Sequence, residues 1–551
     1  MLCGGGCFGE KELSLRREND FAMEYEPIYG VGTASFEEMR RSGCVYVDKT
    51  EYVWRMAHTQ APIFLARPRR FGKSLLTDTL ECYFRGRREL FEGLRIAEME
   101  RDWAEFPVLR FDLSRAKEGK SLPVILDGLY AQLREYEGEW GVSEINLSLG
   151  ERLSSIIRAA RKKAGRKVVV LVDEYDAPLN NNIDKDEDLL GDIRSELRSF
   201  FGAIKSCGND IRFAFLTGIT RYSQMGLFSG LNNLENISIE PEYAGVCGIT
   251  QEELETVLRS DVERLACKLG VSVEEAYGKL KHQYDGYHFS FDSPDIYSPF
   301  SLFKSLHRQR LENHWFGSAT PSMLIMYLTK MGITPDMSAL DGVEVSESSF
   351  NTPLEDARSP LPILYQSGYL TIRSYDDFVK MYTLCIPNNE VRVGLSDSLL
   401  PLLSNYEKKD TDMLIARFKR AVRADDLATA RELLHGYFAG IHNRVLEDKG
   451  EHTYHAIFYT LFSLLGFAPK IENGCARGYS DMIFETPTSV YCMEFKVDRS
   501  AAEALRQIEE RGYLEPFVGK GKRLVMVGVN FSTKERNIAE WEEVPFRFHA
   551  R

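Results

Sequence analysis

The sequence predicts an α/β protein: a mostly parallel sheet flanked by helices, then a helical middle stretch, then a smaller α/β unit at the C-terminal end. Three observations predict it. Ile63 to Leu76 (I-F-L-A-R-P-R-R-F-G-K-S-L-L) passes from an apolar strand through a basic turn into a leucine-rich helical segment. Downstream, Arg166 to Asp176 (R-K-V-V-V-L-V-D-E-Y-D) holds an unbroken apolar run ending in two carboxylates, the pattern of a parallel strand buried on both faces. Near the end, Val490 to Val497 (V-Y-C-M-E-F-K-V) places Glu494 and Lys496 on one face of a strand and Met493, Phe495 and Val497 on the other.

A chain of 551 residues exceeds one ordinary core, and its length suggests roughly two to four domains. Its 44% hydrophobic and 27% charged residues are normal for a soluble globular protein. No apolar stretch approaches the ~20 residues of a membrane span. The net charge of −13 excludes a uniformly basic surface, although Arg67-Pro68-Arg69-Arg70 and Arg161-Lys162-Lys163 form local basic clusters. Ten cysteines without C-x-x-C spacing indicate neither a zinc site nor a disulfide framework, and point to a reducing cytoplasm. Residues 1–25 are Gly-rich without the basic and apolar regions of a signal peptide. They are expected to form a disordered extension, with Met23 a candidate natural start.

Taken in order, Ser35 to Ser42 is a short helix capped by Ser35 and closed by Gly43. Cys44 to Val53 is a strand running into a helix capped by Asp48 or Thr50. Ile63 begins the strand before Gly72-Lys73-Ser74, and Lys73 to Phe84 is a helix. This strand–loop–helix order suits a phosphate: helix-start amides face the anion, Lys73 reaches its terminal phosphates, and Ser74 holds Mg²⁺. Arg67 replaces the first Gly of the usual loop pattern. Pro107 to Leu113 is a further strand, followed by helices over 122–138 and 146–164. At the end of the next strand Asp173 would coordinate Mg²⁺ and Glu174 would activate water. A helix from Asp188 to Lys205 precedes the strand Arg212 to Thr217, and Asn236 to Ile239 forms a last short one. One strand lies between the loop strand and the D-E strand, and Glu174 adjoins Asp173, an order characteristic of the additional-strand class of P-loop ATPases. Thr217, Thr220 and Arg221 then occupy the strand tip that senses the γ-phosphate, where Arg221 would stabilise developing charge.

Thr250 and Glu253 form a capping box that opens a block of short helices and aromatic turns. In Y-D-G-Y-H-F, Asp285 and His288 are read as fixing the turn. Glu407 to Asp426 is expected to be a solvated connecting helix. A helix from near Glu451 to Phe467 carries Glu451, His452 and His455 on its polar edge. Strands follow at Ala468–Ile471, Tyr479–Glu485 and Val490–Val497. Asp481 can meet Glu494 across neighbouring strands, giving two carboxylates for Mg²⁺ with Lys496 to orient water. The spacing D-x(12)-E-x-K and the α-β-β-β-α-β order are those of PD-(D/E)XK phosphodiesterases. Glu451 and Gln507 are candidate neighbours of that site.

With these motifs the chain resembles bacterial AAA-ATPase-like proteins carrying a C-terminal PD-(D/E)XK nuclease domain. The resemblance rests on Y-V-D-K-T (46–50), F-L-A-R-P-R-R-F-G-K-S-L (64–75), V-D-E-Y-D-A-P-L (172–179), F-S-G-L-N-N-L (228–234), Y-S-P-F-S-L (297–302) and M-E-F-K (493–496). It implies an AAA-like ATPase domain over 26–245, a helical lid or linker over 246–405 and a restriction-endonuclease-like domain over 406–551. ATP would lie on Arg69, Arg70, Phe71, Gly72, Lys73, Ser74, Leu75 and Asp173, with Ser74 and Asp173 on Mg²⁺ and Glu174 and Arg221 catalytic. Asp481 and Glu494 would hold a second Mg²⁺ beside Lys496. Where such proteins have G-R-x-D, this chain has A-R-G-Y-S-D (476–481). The expected partners are nucleic acid, DNA rather than RNA, and further copies of the chain, with no membrane.

Overall fold

The computed structural model describes residues 27–143, 147–220, 233–315, 322–331, 337–403, 408–441, 451–464, 473–475 and 478–547. The expected N-terminal extension, Arg221 and the expected strand Ala468–Ile471 lie outside them.

A five-stranded sheet organises the first half. Its strands are β1 (Ile63–Ala66), β2 (Val108–Asp112), β3 (Val168–Asp173), β4 (Ile211–Gly218) and β5 (Glu235–Asn236), ordered β2-β3-β4-β1-β5. Every pairing is parallel, and β4 is inserted between β1 and β3. Successive β3 residues face opposite cores. Val168, Val170 and Val172 pack with helices over Asp127–Trp140, α2 (Leu149–Ala164) and α3 (Glu187–Ser206). Val169 and Leu171 share the other core with α1 (Lys73–Phe84). That second core continues without a break into Tyr287, Trp315, Ile363 and Leu395. The expected helix over 122–138 is divided into Leu122–Ile125 and Asp127–Trp140. Residues 44–48 form no strand, and neither Asp48 nor Thr50 is the cap of the helix Thr50–Ala57: Lys49 holds that place without a side-chain bond, while Asp48 accepts the Thr50 amide at 2.8 Å.

The middle block contains α4 (Pro299–Arg308), and also strands that the sequence reading did not anticipate. β6 (Val343–Val345), β7 (Thr371–Asp376) and β8 (Met381–Cys385) form an antiparallel sheet ordered β6-β8-β7. In Y-D-G-Y-H-F it is His288 that fixes the turn as expected, whereas both carboxylate oxygens of Asp285 are buried without a hydrogen bond. His288 pairs through Nε2 with the Ser293 carbonyl, and its amide donates to Thr371 Oγ1 at 2.7 Å.

Asp285 in the same turn is buried, and burial pushes its carboxyl up from 3.8 to about 6. The folded state therefore keeps a proton that the unfolded chain loses. The resulting stability is full below 3.8 and drains away as pH rises towards 6. Asp285→Asn is expected to leave stability unchanged at pH 4. At pH 8 it should raise it by about 3 kcal/mol, read as a higher melting temperature.

Beyond α5 (Asn389–Leu403) the chain builds a second α/β unit. It holds α6 (Glu451–Leu464), β9 (Met482–Glu485), β10 (Ser489–Val497), α7 (Ala501–Arg511), β11 (Arg523–Ser532) and β12 (Asn537–Pro545). The sheet runs β9-β10-β11-β12, with β10 and β11 parallel and joined by α7, and the outer pairs antiparallel. The helix Lys408–Arg423 is not merely solvated: Phe418, Ala421 and Val422 are buried against this sheet's core. Among the described residues no helix is long and apolar enough to cross a membrane.

Candidate functional sites: a phosphate loop and a paired-carboxylate strand

The loop after β1 is held from behind. Arg67, where the usual pattern has glycine, turns inward rather than towards a ligand. Its guanidinium donates to the carbonyls of Ser238 at 2.6 Å and Tyr243 at 3.0 Å, and lies 4.2 Å from the Phe289 ring. Phe71 is likewise buried, edge-on to Tyr287 at 4.7 Å and Phe289 at 5.3 Å. Gly72, at φ 90°, supplies the left-handed residue that turns the chain into α1. Arg70 (φ 69°) and Glu174 (φ 48°) also occupy that region, which costs a non-glycine residue of order 1–3 kcal/mol. Both line the same cleft.

That cleft, about 470 Å³, is lined by Arg69, Arg70, Gly72 to Leu75 and Glu174. Its far wall comes from residues that the sequence reading gave no role: Gly30 to Ala34, and Phe300 and Phe303 of α4. The Arg70 guanidinium rests 3.9 Å from the Phe300 ring centre. Lys73 Nζ donates to the carbonyls of Arg67 and Pro68, each at 3.0 Å. Ser74 lies near enough to Asp173 to draw its carboxyl down, so the loop and the end of β3 face each other across one gap. Burial pushes the Asp173 carboxyl up, with Ser74 and Lys73 pulling against it. Burial raises Glu174 too, and Lys73 only partly offsets it, so Glu174 is a better proton acceptor than an exposed carboxylate.

The tip of β4 is less available than expected. Thr217 Oγ1 donates to the Leu65 carbonyl at 2.7 Å. Thr220 donates its hydroxyl at 2.6 Å, and its amide at 2.7 Å, to Asp176 Oδ2. Asp176, the last residue of V-D-E-Y-D, thus fixes this tip. Gly218 makes room for it, because a Cβ there would lie 2.4 Å from Asp176 Oδ1.

In the second unit, strand alternation delivers the expected cluster. Met482 pairs with Met493, which brings Asp481 beside Glu494. The Asp481 amide donates to Glu494 Oε2 at 3.3 Å, and the Phe495 amide donates to Asp481 Oδ2 at 2.7 Å. Lys496 Nζ reaches Glu494 Oε1 at 3.1 Å and the Phe495 carbonyl at 3.0 Å. Gln507 of α7 donates to the same Glu494 oxygen. Its helix comes close because the residue registered with Glu494 on β11 is Gly528, where a Cβ would lie 2.3 Å from the Ala501 carbonyl. Glu494 is 1% and Lys496 7% exposed, whereas Asp481 is half-buried. Burial, and then the Asp481 carboxylate, push the Glu494 carboxyl well above the usual range. A cation between the two carboxylates would relieve that repulsion, so the residues present fit a hard divalent ion.

Residues 30–228 match the family model described as Predicted AAA-ATPase, and 449–541 match the PD-(D/E)XK nuclease superfamily. Over 524 residues the chain is 30% identical to a relative from Azotobacter chroococcum mcd 1, named "Uncharacterized protein in vnfD 5'region". The match covers 92% of this chain and 97% of that one. This chain belongs to the AAA-ATPase-like family with a C-terminal PD-(D/E)XK domain.

For this AAA-ATPase-like protein, the structure therefore gathers Arg69, Arg70, Gly72, Lys73, Ser74, Leu75, Asp173 and Glu174 about one cleft, with Phe71 behind it. It gathers Asp481, Glu494 and Lys496 about another point, and adds Gln507. The volume of the first cleft is that of an ordinary small-ligand site. The side chain of Glu451 lies outside the described residues.

Proposed function

We propose that this protein is a Mg²⁺-dependent ATPase coupled to a Mg²⁺-dependent nuclease domain acting on nucleic acid, DNA before RNA. The observation that carries the ATPase half is the meeting of Ser74 with Asp173 beneath a cleft containing Lys73 and Glu174. The helix-start amides from Gly72 to Leu75 bind phosphate, and Lys73 leaves its two loop carbonyls for the terminal phosphates. Ser74 and Asp173 hold the metal ion, which would supply charge neutralisation at the phosphates. Glu174 takes the proton of the attacking water, and Arg221 stabilises charge developing on the transferred group. In the second unit Asp481 and Glu494 hold the divalent ion and Lys496 orients the water that attacks a phosphodiester. The protein works in the cytoplasm, and copies of the chain associate.

Glu174→Gln is expected to bind ATP with affinity near that of the wild type and to hydrolyse it at least about 100-fold more slowly. Phosphate release and a nucleotide-binding titration on the same preparation check this. Unchanged hydrolysis removes Glu174 from the reaction.

One observation favours a second reading, in which the nuclease fold binds nucleic acid or a partner without cutting it. Glu494 and Lys496 are nearly sealed and bonded to each other, leaving Asp481 as the solvent-facing member. Cleavage assays with duplex and single-stranded DNA and with RNA separate the readings: cutting that requires Mg²⁺ supports the first, and binding without cutting supports the second.

A further inference from the structure

Glu390 lies in the first turn of α5, is 1% exposed, and sits in neither site. A buried carboxylate is costly unless its partners are held in place. Glu390 Oε1 accepts the amides of His314 and of Trp315, the latter at 2.8 Å, and Ser301 lies near enough to draw its carboxyl down. Both sets of neighbours lead to the phosphate loop. The Trp315 indole N–H donates to the Arg69 carbonyl at 3.4 Å. Ser301 follows Phe300 on α4, and Phe300 is the ring on which Arg70 rests.

The other direction leads to the nuclease unit. Two residues along α5, Arg392 donates to Asp341 Oδ2 at 2.7 Å and to the hydroxyl of Tyr459 on α6. Tyr459 in turn lies 3.4 Å from the same Asp341 oxygen. The neighbouring Phe458 ring is 4.8 Å from Phe495, whose amide holds Asp481. Every link from Arg69 to Asp481 is a contact between packed or bonded groups.

We propose that α5 is a strut that transmits the state of the phosphate loop to the Asp481–Glu494 pair, with Glu390 and Arg392 as its positioning residues. The proposal rests on the nucleotide reading of the loop given above. Phosphates that draw Arg69 and Arg70 forward pull on Trp315 and release Phe300. Glu390 keeps its donors, because an orphaned buried carboxylate costs more than a small helix shift. The start of α5 therefore moves with them. The helix has 15 residues, about 22 Å of hydrogen-bonded rod, and carries Arg392 along. Arg392 and Asp341 shift Tyr459, and with it the Phe458–Phe495 contact that sets where the Asp481 carboxylate is held.

The test uses the full chain with Mg²⁺ and the non-hydrolysable analogue AMP-PNP, and reads hydrogen exchange over residues 481–497 beside a nucleotide-binding titration. In the wild type, AMP-PNP is expected to change exchange there by about fivefold or more. Arg392→Met should bind AMP-PNP as the wild type does, show unaltered exchange without nucleotide, and lose the response; Arg392→Lys should restore part of it. Tyr459→Phe, which removes a single hydroxyl, gives the same readout should Arg392→Met fold poorly. A wild type that binds AMP-PNP with no response at 481–497, or an Arg392→Met response equal to wild type, overturns the strut. Absence of AMP-PNP binding overturns the nucleotide reading and the strut with it.

Discussion

Lys73→Ala is expected to lower kcat/KM for ATP by a factor of about 100 to 1,000, the usual cost of removing a positioned charge from a reacting phosphoryl group. Lys73 Nζ is buried and held 3.0 Å from each of two loop carbonyls, so it is pre-positioned at the base of the cleft. Asp173 and Glu174 both have their carboxyls pushed up by burial, and Lys73 opposes the rise at each. Removing it takes away the phosphate contact and leaves both carboxylates harder to ionise. The loop itself should survive, since Gly72 makes the turn and Arg67 anchors it from the far side. Lys73→Arg should rescue little, because a planar guanidinium cannot occupy the position of a compact ammonium between two carbonyls. Steady-state phosphate release with a parallel melting curve decides it. Activity within about tenfold of wild type in a folded Lys73→Ala protein takes Lys73 out of the reaction.

What could be read from the sequence was local, and what could not was remote. Helix α1 begins at Lys73 and ends at Phe84 as expected, because Gly72 and the leucine spacing are signals within the segment itself. Strand β3 announced itself because burial on both faces demands an unbroken apolar run. The β6-β8-β7 sheet went unseen: its strands are short and Val343–Val345 pairs with residues far along the chain, so no periodicity marks it. Lys408–Arg423 was read as solvated because its charges mask the single face that buries Phe418 and Val422.

The sites divide in the same way. Alternation along β10 placed Glu494 and Lys496 on one face, and the cross-strand meeting with Asp481 followed from hairpin geometry. Arg67 was legible only as a departure from a pattern, since its partners Ser238, Tyr243 and Phe289 are brought to it by the tertiary fold. Phe300 had a signal in Y-S-P-F-S-L, a motif noted without a role. Glu390 had none, because a lone glutamate opening an apolar helix looks like an ordinary acidic first turn.

Asp481→Asn is expected to abolish Mg²⁺-dependent cleavage, by at least about 100-fold, while keeping the fold. The substitution is nearly isosteric, and the asparagine carbonyl can still accept the Phe495 amide that Asp481 Oδ2 accepts at 2.7 Å. What changes is charge. Asp481 is one reason, after burial, that the Glu494 carboxyl is pushed up, so its neutralisation lets Glu494 ionise more readily. Glu494 then pairs more tightly with Lys496, already 3.1 Å away, and the shell draws inward rather than opening to a cation. Divalent-ion affinity should fall with cleavage, whereas the melting temperature in the absence of metal should hold or rise. Calorimetric titration with Mg²⁺ or Mn²⁺ and a cleavage assay on the same protein check both halves. Metal-dependent cutting that persists in Asp481→Asn places the reacting centre elsewhere. Lost metal affinity in a protein whose wild type cuts nothing instead makes this a carboxylate pair that grips an ion to bind nucleic acid.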